Sequence, residues 1–520
     1  MGEAIQVVGC VAASGAAGAA IVASDRRLRA AGVAASLLIA GALLLGEGWD
    51  ELEGIRDRSA LLVVIVLAAI AAVAGLAQLF RRRAELLPLL LVAALPFRVP
   101  IEVSGEDANL LLPLYMVIAA GVVALVLEAL RRGGQRQPSE PRPLLIALAA
   151  AIALYALQVS YSEDIGFGTR NVGFFLVPFA AMFVLLTDRR WTPRLLRLAL
   201  LIVIGEALLF AVVGIGQAAV GEIFWNPALE RSNDFHFYFR VNSLFWDPNI
   251  YGRYLALVAV LAVAVLAWTR DARRIRLLAG VLLLLVFGLL FGFSQTSFIA
   301  LLAGVAVVCA LRWSARWTAI AVPFAAILIF AAVIFVGGTS ESENDAREIS
   351  SGRTTLIKGG FELAKAEPLI GHGSASFSEA FIEQEQISPD KPAISHNEPV
   401  TVAAEQGLIG ILVYAALIAA ALWTLLGGMR RLAPGLGAPE DPVGDPAEGG
   451  PGALALARIA LLAAFVSLLI HTIGYAGYLT DPLTWALLAI GASLANAGSS
   501  APEPTPGAGS SASPPGPAGR

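Results

Sequence analysis

The sequence predicts an all-α protein: a polytopic bundle of about 12–15 transmembrane helices with a large external loop bearing short amphipathic helices. Three observations lead there. Apolar residues make up 57% of the 520 positions and charged residues only 15%, whereas soluble domains run nearer half and a quarter. Mean hydropathy is +0.74, and apolar runs recur from the first residues to about residue 497. The basic residues, 33 Arg and 3 Lys, gather in short clusters between those runs. This composition excludes a disordered chain, a nucleic-acid-binding protein and an ordinary cytosolic enzyme.

A bilayer crossing takes about 20 apolar residues. Fifteen candidate spans follow: 5–23, 30–46, 60–80, 86–97, 110–130, 144–160, 171–187, 198–220, 249–269, 277–293, 296–311, 318–338, 399–427, 459–474 and 482–497. The run at 86–97 is short and holds Pro88 and Pro96. The N-terminus has no basic residue before its apolar run, so it reads as a first span rather than a secretory signal. Cys10 and Cys309 both lie in apolar runs, which leaves no disulfide framework and no cysteine-based metal site.

Orientation follows from the loops. One alternating set of connections holds 23 Arg, and the opposite set holds 11 Lys or Arg. The richer set is cytoplasmic by the positive-inside rule, so a triplet such as Arg81-Arg82-Arg83 is a topology anchor. The chain divides into N-terminal helices (1–197), central helices (198–338) with an external loop at 221–248, a large external loop (339–398), and C-terminal helices (399–497) interrupted by a cytoplasmic linker at 428–458. The Pro/Ser/Gly/Ala tail, 498–520, is expected to be disordered.

The external loops carry the residues capable of chemistry. In the larger one, Thr354–Ala366 has the apolar spacing of a short amphipathic helix, with Ser351 or Thr354 as its cap and Pro368 as its end. Gly371-His372-Gly373 makes a turn, Phe377–Gln386 a second short helix, and Ser395-His396-Asn397-Glu398 precedes the next span. That span begins Val400-Thr401-Val402-Ala403-Ala404-Glu405-Gln406-Gly407-Leu408-Ile409-Gly410, whose glycines suit close helix packing. The smaller loop is aromatic and ends Arg240…Phe245-Trp246-Asp247-Pro248-Asn249, with Arg253 one turn inside the span. An arginine there is costly unless paired or facing water. Glu206 in mid-span and His471 near a span end read as groups satisfied inside the bundle.

At these residues the sequence resembles the O-antigen ligase/polymerase family of bacterial inner-membrane proteins. The likeness lies in an arginine (Gly352-Arg353), a G-x-G with a following Phe (Gly371, Gly373, Phe377), a His-Asn pair (His396-Asn397) and a Glu-x-Gly-Leu-Ile-Gly helix (Glu405 to Gly410), with Arg240 before a Phe-x-x-Pro-Asn segment upstream. It covers roughly 200–430. Family members often have about twelve spans. The resemblance implies a metal-independent, inverting glycosyl transfer on a GT-C-like scaffold, with no cofactor, on the outer side of the inner membrane. The donor would be a glycan on undecaprenyl diphosphate and the acceptor a glycan, lipid or protein. Ligase and polymerase activities are not separable from the residues. A glycan or lipid transporter is the alternative class, but ionisable mid-span residues are few and no internal repeat is visible.

In that role Arg240 and Arg353 would hold the diphosphate through planar, permanently charged guanidinium forks. His396 would take the acceptor proton, with Glu398 as the competing base. Asn249, Arg253, Asn397 and Glu398 would contact substrate. The bland readings stand beside these: Arg353 as a salt-bridge partner in an acidic loop, Arg240 as an interfacial anchor, His396 and Asn249 as helix caps, and His372 as a turn residue. His236 among aromatics reads as interfacial, and the aromatics at 235–246 as a membrane belt or sugar-stacking rings.

Overall fold

The structure, a computed structural model, describes residues 2–48, 59–103, 106–132, 142–235, 238–316, 318, 343–386, 395–427 and 452–497. These fold as an all-helical polytopic bundle. In order come α1 (Glu3–Val22), α2 (Arg26–Glu47), α3 (Ser59–Arg82), α4 (Leu86–Ala94), α5 (Leu112–Arg132), α6 (Arg142–Gln158), α7 (Ile165–Thr187), α8 (Pro193–Val220), α9 (Pro227–Phe235), α10 (Pro248–Trp268), α11 (Ala272–Gly292), α12 (Gln295–Ser314), α13 (Glu343–Ala366), α14 (Phe377–Glu385), α15 (Glu398–Leu426), α16 (Ala453–Thr472) and α17 (Pro482–Ala497). Twelve helices among the described residues are long and apolar enough to cross a membrane. Two of the fifteen expected spans, at 86–97 and 482–497, are short helices instead. The run at 318–338 lies outside the described residues, apart from Thr318. One short antiparallel hairpin, β1 (Val99–Val103) with β2 (Glu106–Leu110), joins α4 to α5.

The outer faces of the bundle are apolar, as its interior is. Leu38, Leu283 and Trp423 are 75%, 73% and 74% exposed on its outer faces, a pattern that only an apolar surrounding stabilises. The centre is α7, whose membrane-crossing window is 83% buried. Its middle turn, 172–176, widens to a π-helical turn, with Gly173 fitted against Leu44 of α2.

Helix starts are closed by side chains, as an apolar medium requires of unpaired N–H groups. Asp25, Asp271, Thr192, Asp247, Ser294 and Asn397 each cap the helix that follows. At the arginine-rich end, side chains close helix ends in the complementary way, cation to carbonyl. Arg458 reaches the carbonyls of Thr424, Leu425 and Gly427 at the end of α15. Arg312 donates to the Ala267 carbonyl at 2.9 Å. Arg26 is paired with Asp188 and Glu128, both at 2.7 Å. These arginines are thus fixed in the fold at one end, and both long connections lie at the other.

The large loop departs from expectation in one respect. Its first helix begins at Glu343, not at Thr354, and runs without a break to Ala366. The second helix is placed as expected, at Phe377–Glu385. The linker expected at 428–458 ends earlier, because α16 starts at Ala453. Residues 428–451 and the tail from 498 lie outside the described residues.

α15 is broken, which the sequence did not signal. Gly407 sits at φ 61°, ψ −159°, inside what would otherwise be a continuous helix. The segment 368–373 pairs with the gap backbone to backbone. His372 N–H donates to the Ala404 carbonyl at 3.1 Å, Gly373 N–H to Glu405 at 2.8 Å, Leu408 N–H to Pro368 at 2.9 Å and Ile409 N–H to Leu369 at 3.2 Å. Glu405 completes the seam, accepting the N–H groups of Ala375 at 2.9 Å and Phe377 at 3.3 Å. The G-x-G and Glu-x-Gly-Leu-Ile-Gly motifs are therefore two halves of one structural joint. Gly407 permits a helix break rather than close packing of an intact helix.

Candidate active site

At the loop-bearing end, three helix starts and one connection converge. The start of α10 brings Asp247, Asn249 and Arg253. The start of α12 brings Ser294 and Ser297. The start of α15 brings His396, Asn397 and Glu398. The connection is 473–481, between α16 and α17, and it contributes Tyr475, Gly477 and Asp481.

Arg253 is the centre. Only 3% exposed, it forms an ion pair with Asp481. Its Nε donates to His471 Nδ1 at 3.1 Å and its Nη2 to the Tyr475 carbonyl at 2.9 Å. The guanidinium also lies over the Tyr475 ring, 5.3 Å from the centroid. Every face of the fork is thus matched, which answers the cost of a buried arginine. His471 was expected to be satisfied inside the bundle, and it is: Nε2 lies 3.1 Å from Ser297 Oγ. Glu206, read the same way, accepts from Tyr254 Oη at 2.6 Å.

Tyr475 joins the segments. Its ring centroid is 5.9 Å from His396 and 6.1 Å from His471. Its hydroxyl donates to Asp247 Oδ2 at 3.1 Å. Burial, with the Asp247 carboxylate beside it, holds the phenol well above the ordinary tyrosine range. Arg98, just before β1, is also within electrostatic reach of this phenol.

His396 adopts φ 54°, a left-handed conformation that costs a non-glycine residue of order 1 kcal/mol and turns its ring out of the chain direction. The residues around it hold that turn. Ser395 Oγ donates to the Asn397 carbonyl at 3.0 Å and accepts from the Asn397 N–H at 3.1 Å. Asn397 caps α15 through the Val400 N–H at 3.0 Å and donates to the Ile473 carbonyl at 2.8 Å. Glu398 accepts the Gly477 N–H at 2.6 Å. Asn397 and Glu398 thereby bind the 473–481 connection to α15.

Arg240 is half-buried on the rim. Asn233 clamps its backbone, donating to its carbonyl at 2.9 Å and accepting its N–H at 3.0 Å. Its Nε donates to the Gly292 carbonyl at 3.4 Å, two residues before Ser294, whose hydroxyl donates to Asn249 Oδ1 at 2.9 Å. Arg240 thus abuts the same group. Arg353 lies on α13, and its side chain is outside the described residues, as is His236. Of the loop aromatics, Phe245 is 2% exposed and packs edge-on to Phe210 at 4.9 Å. It belongs to the core, not to a sugar platform. His372 does more than turn the chain: Nδ1 lies 3.2 Å from Glu163 and Nε2 lies 3.2 Å from the Leu363 carbonyl.

The arrangement therefore gathers Asn249, Arg253, His396, Asn397 and Glu398, with Arg240 beside them. Sequence reading did not anticipate Tyr475, Asp481, Ser294 or Ser297. One signal was available: an arginine one turn inside a span demands an acid, and Asp481 stands in one of the short connections at this end.

Residues 280–415 match the family described as O-antigen ligase. The match takes in Ser294, Ser297, Arg353, His396 and the Gly407 joint, and stops before His471, Tyr475 and Asp481. No curated protein matches the chain.

Proposed function

We propose that this chain, a multi-pass membrane protein of the O-antigen ligase/polymerase type, is a glycosyltransferase. It would move a glycan from an undecaprenyl-diphosphate carrier to an envelope acceptor at the outer face of the bacterial inner membrane. The observation that carries the reading is the meeting of His396 with the Arg253–Tyr475 group at the loop-bearing end, in a chain whose residues 280–415 match the ligase family.

The chemistry requires three things. Charge building on the diphosphate as the glycosidic bond breaks must be held, and Arg240 and Arg353 carry permanent positive charge for that purpose. One such electrostatic donor in a water-poor site contributes about 3 kcal/mol. The acceptor hydroxyl must lose a proton, and His396 is the base. We prefer it to Glu398, whose carboxylate already accepts the Gly477 N–H. Third, the base must be held still, and Tyr475 and the Ser395–Asn397 turn do this.

The test is transfer by the full-length protein in membranes supplied with a lipid-linked glycan. His396→Ala, Arg240→Ala and Arg353→Ala are each expected to abolish transfer while membrane expression stays intact. Transfer that persists in His396→Ala overturns the assignment of the base. A single added unit identifies a ligase, and a ladder of lengths identifies a polymerase.

A further inference from the structure

Five side chains under the site form a hydrogen-bond chain whose direction is set from its Arg253 end. The Arg253 Nε–H can only donate, so His471 Nδ1 accepts it and the ring proton resides on Nε2. Nε2–H therefore donates to Ser297 Oγ at 3.1 Å. Ser297, accepting there, donates its single proton to Ser294, 2.8 Å away. The single proton of Ser294 is then directed to Asn249, at 2.9 Å, and an amide facing a donor presents its oxygen, Oδ1. Each hydroxyl donates once, and the order runs Arg253, His471, Ser297, Ser294, Asn249.

The chain is sealed. Its members are 3%, 0%, 0%, 1% and 8% exposed, in that order. A Cβ on Gly252 would come within 2.5 Å of Ser297 Oγ, so α10 and α12 touch at this point. The residual exposure is greatest at Asn249, where the chain ends. With Oδ1 turned inward, the Asn249 amide nitrogen is turned the other way. Among the described residues, it has no hydrogen-bond acceptor.

We propose that the Asn249 amide donates to an oxygen of the diphosphate-linked donor, and that His471, Ser297 and Ser294 are positioning residues that hold the amide in that orientation. This rests on the donor reading above. A freely rotating asparagine would present oxygen as often as nitrogen, and oxygen facing a phosphate is repulsive. The relay removes that alternative before substrate arrives.

The experiment is binding of undecaprenyl diphosphate to the full-length protein in nanodiscs. Asn249→Ala is expected to weaken binding roughly tenfold, the size of one hydrogen bond to a charged group. Ser297→Ala, which touches no substrate, is expected to weaken it by a similar factor. The double variant Asn249→Ala/Ser297→Ala should bind no more weakly than Asn249→Ala alone, because both changes remove one effect. His471→Gln, which keeps an acceptor and a donor, should retain binding that His471→Leu loses. Multiplying losses in the double variant, or unchanged binding in Asn249→Ala, overturns the proposal and leaves the donor reading standing. Failure of the wild-type protein to bind undecaprenyl diphosphate overturns both.

Discussion

A Cβ placed on Gly407 would lie 2.7 Å from the backbone nitrogen of Gly371. The two glycines meet across the seam in α15, and both have positive φ, 61° and 69°. The contact from the other side of the seam is tighter still: a Cβ on Gly371 would fall 2.4 Å from the Glu405 carbonyl carbon. Neither obstacle is a side chain that can rotate away.

Gly371→Ala and Gly407→Ala should therefore each destabilise the protein by about 2–4 kcal/mol, combining left-handed strain with a backbone clash. Gly205→Ala and Gly280→Ala, where a Cβ meets nothing within 4 Å, should be neutral or slightly stabilising. Thermal unfolding in detergent distinguishes the two pairs. Equal midpoints would contradict the joint.

Asp481→Asn should be more damaging than Asp481→Asn combined with Arg253→Met. Removing one partner strands a buried charge, at about 3–5 kcal/mol, whereas removing both leaves a smaller defect. The check is the order of the two unfolding midpoints, with the single variant expected to be lower.

Glu405→Ala should loosen the 371–377 segment. It orphans the Ala375 and Phe377 N–H groups, at about 1–3 kcal/mol for each group left buried. Limited proteolysis is expected to cut between α13 and α14 in the variant and not in the wild-type protein.

Tyr475 yields a pH prediction. Its phenol is raised by burial and by Asp247, so the neutral form is the one the fold favours. The stability this contributes is fully present below the ordinary phenol pKa of about 10 and is lost as pH rises toward the folded-state value. The gap in unfolding midpoint between wild type and Tyr475→Phe should be constant from pH 7 to about 9 and should narrow above about 10. A gap that changes near neutrality would mean that another group is titrating.

Twelve of the fifteen expected spans were legible because an apolar run of bilayer length has one reading, whereas the runs at 86–97 and 482–497 fall short of that length. The large loop's second helix was legible because its apolar spacing survives in a polar setting. The start at Glu343 was not, because Ser340 to Glu348 reads as acidic and polar with no apolar stripe to mark a face. For the site, residues at the two span starts near 247 and 396 could be read from local pattern. The pairing of His471 and Asp481 with Arg253 could not be read from local pattern, since it spans 218 and 228 residues. The break at Gly407 was hidden for a related reason. A glycine in an apolar helix suggests packing, and only the partner strand of backbone at 368–373 reveals a gap.

The seam at Gly407 also has a mechanical meaning. It divides α15 into a short stub, stapled to the candidate site, and a long apolar mast. The backbone ladder is interrupted at Gly407 and the stub is bonded to 368–377 instead, so the joint is the place where a tilt of the mast can be taken up before it reaches the turn at His396.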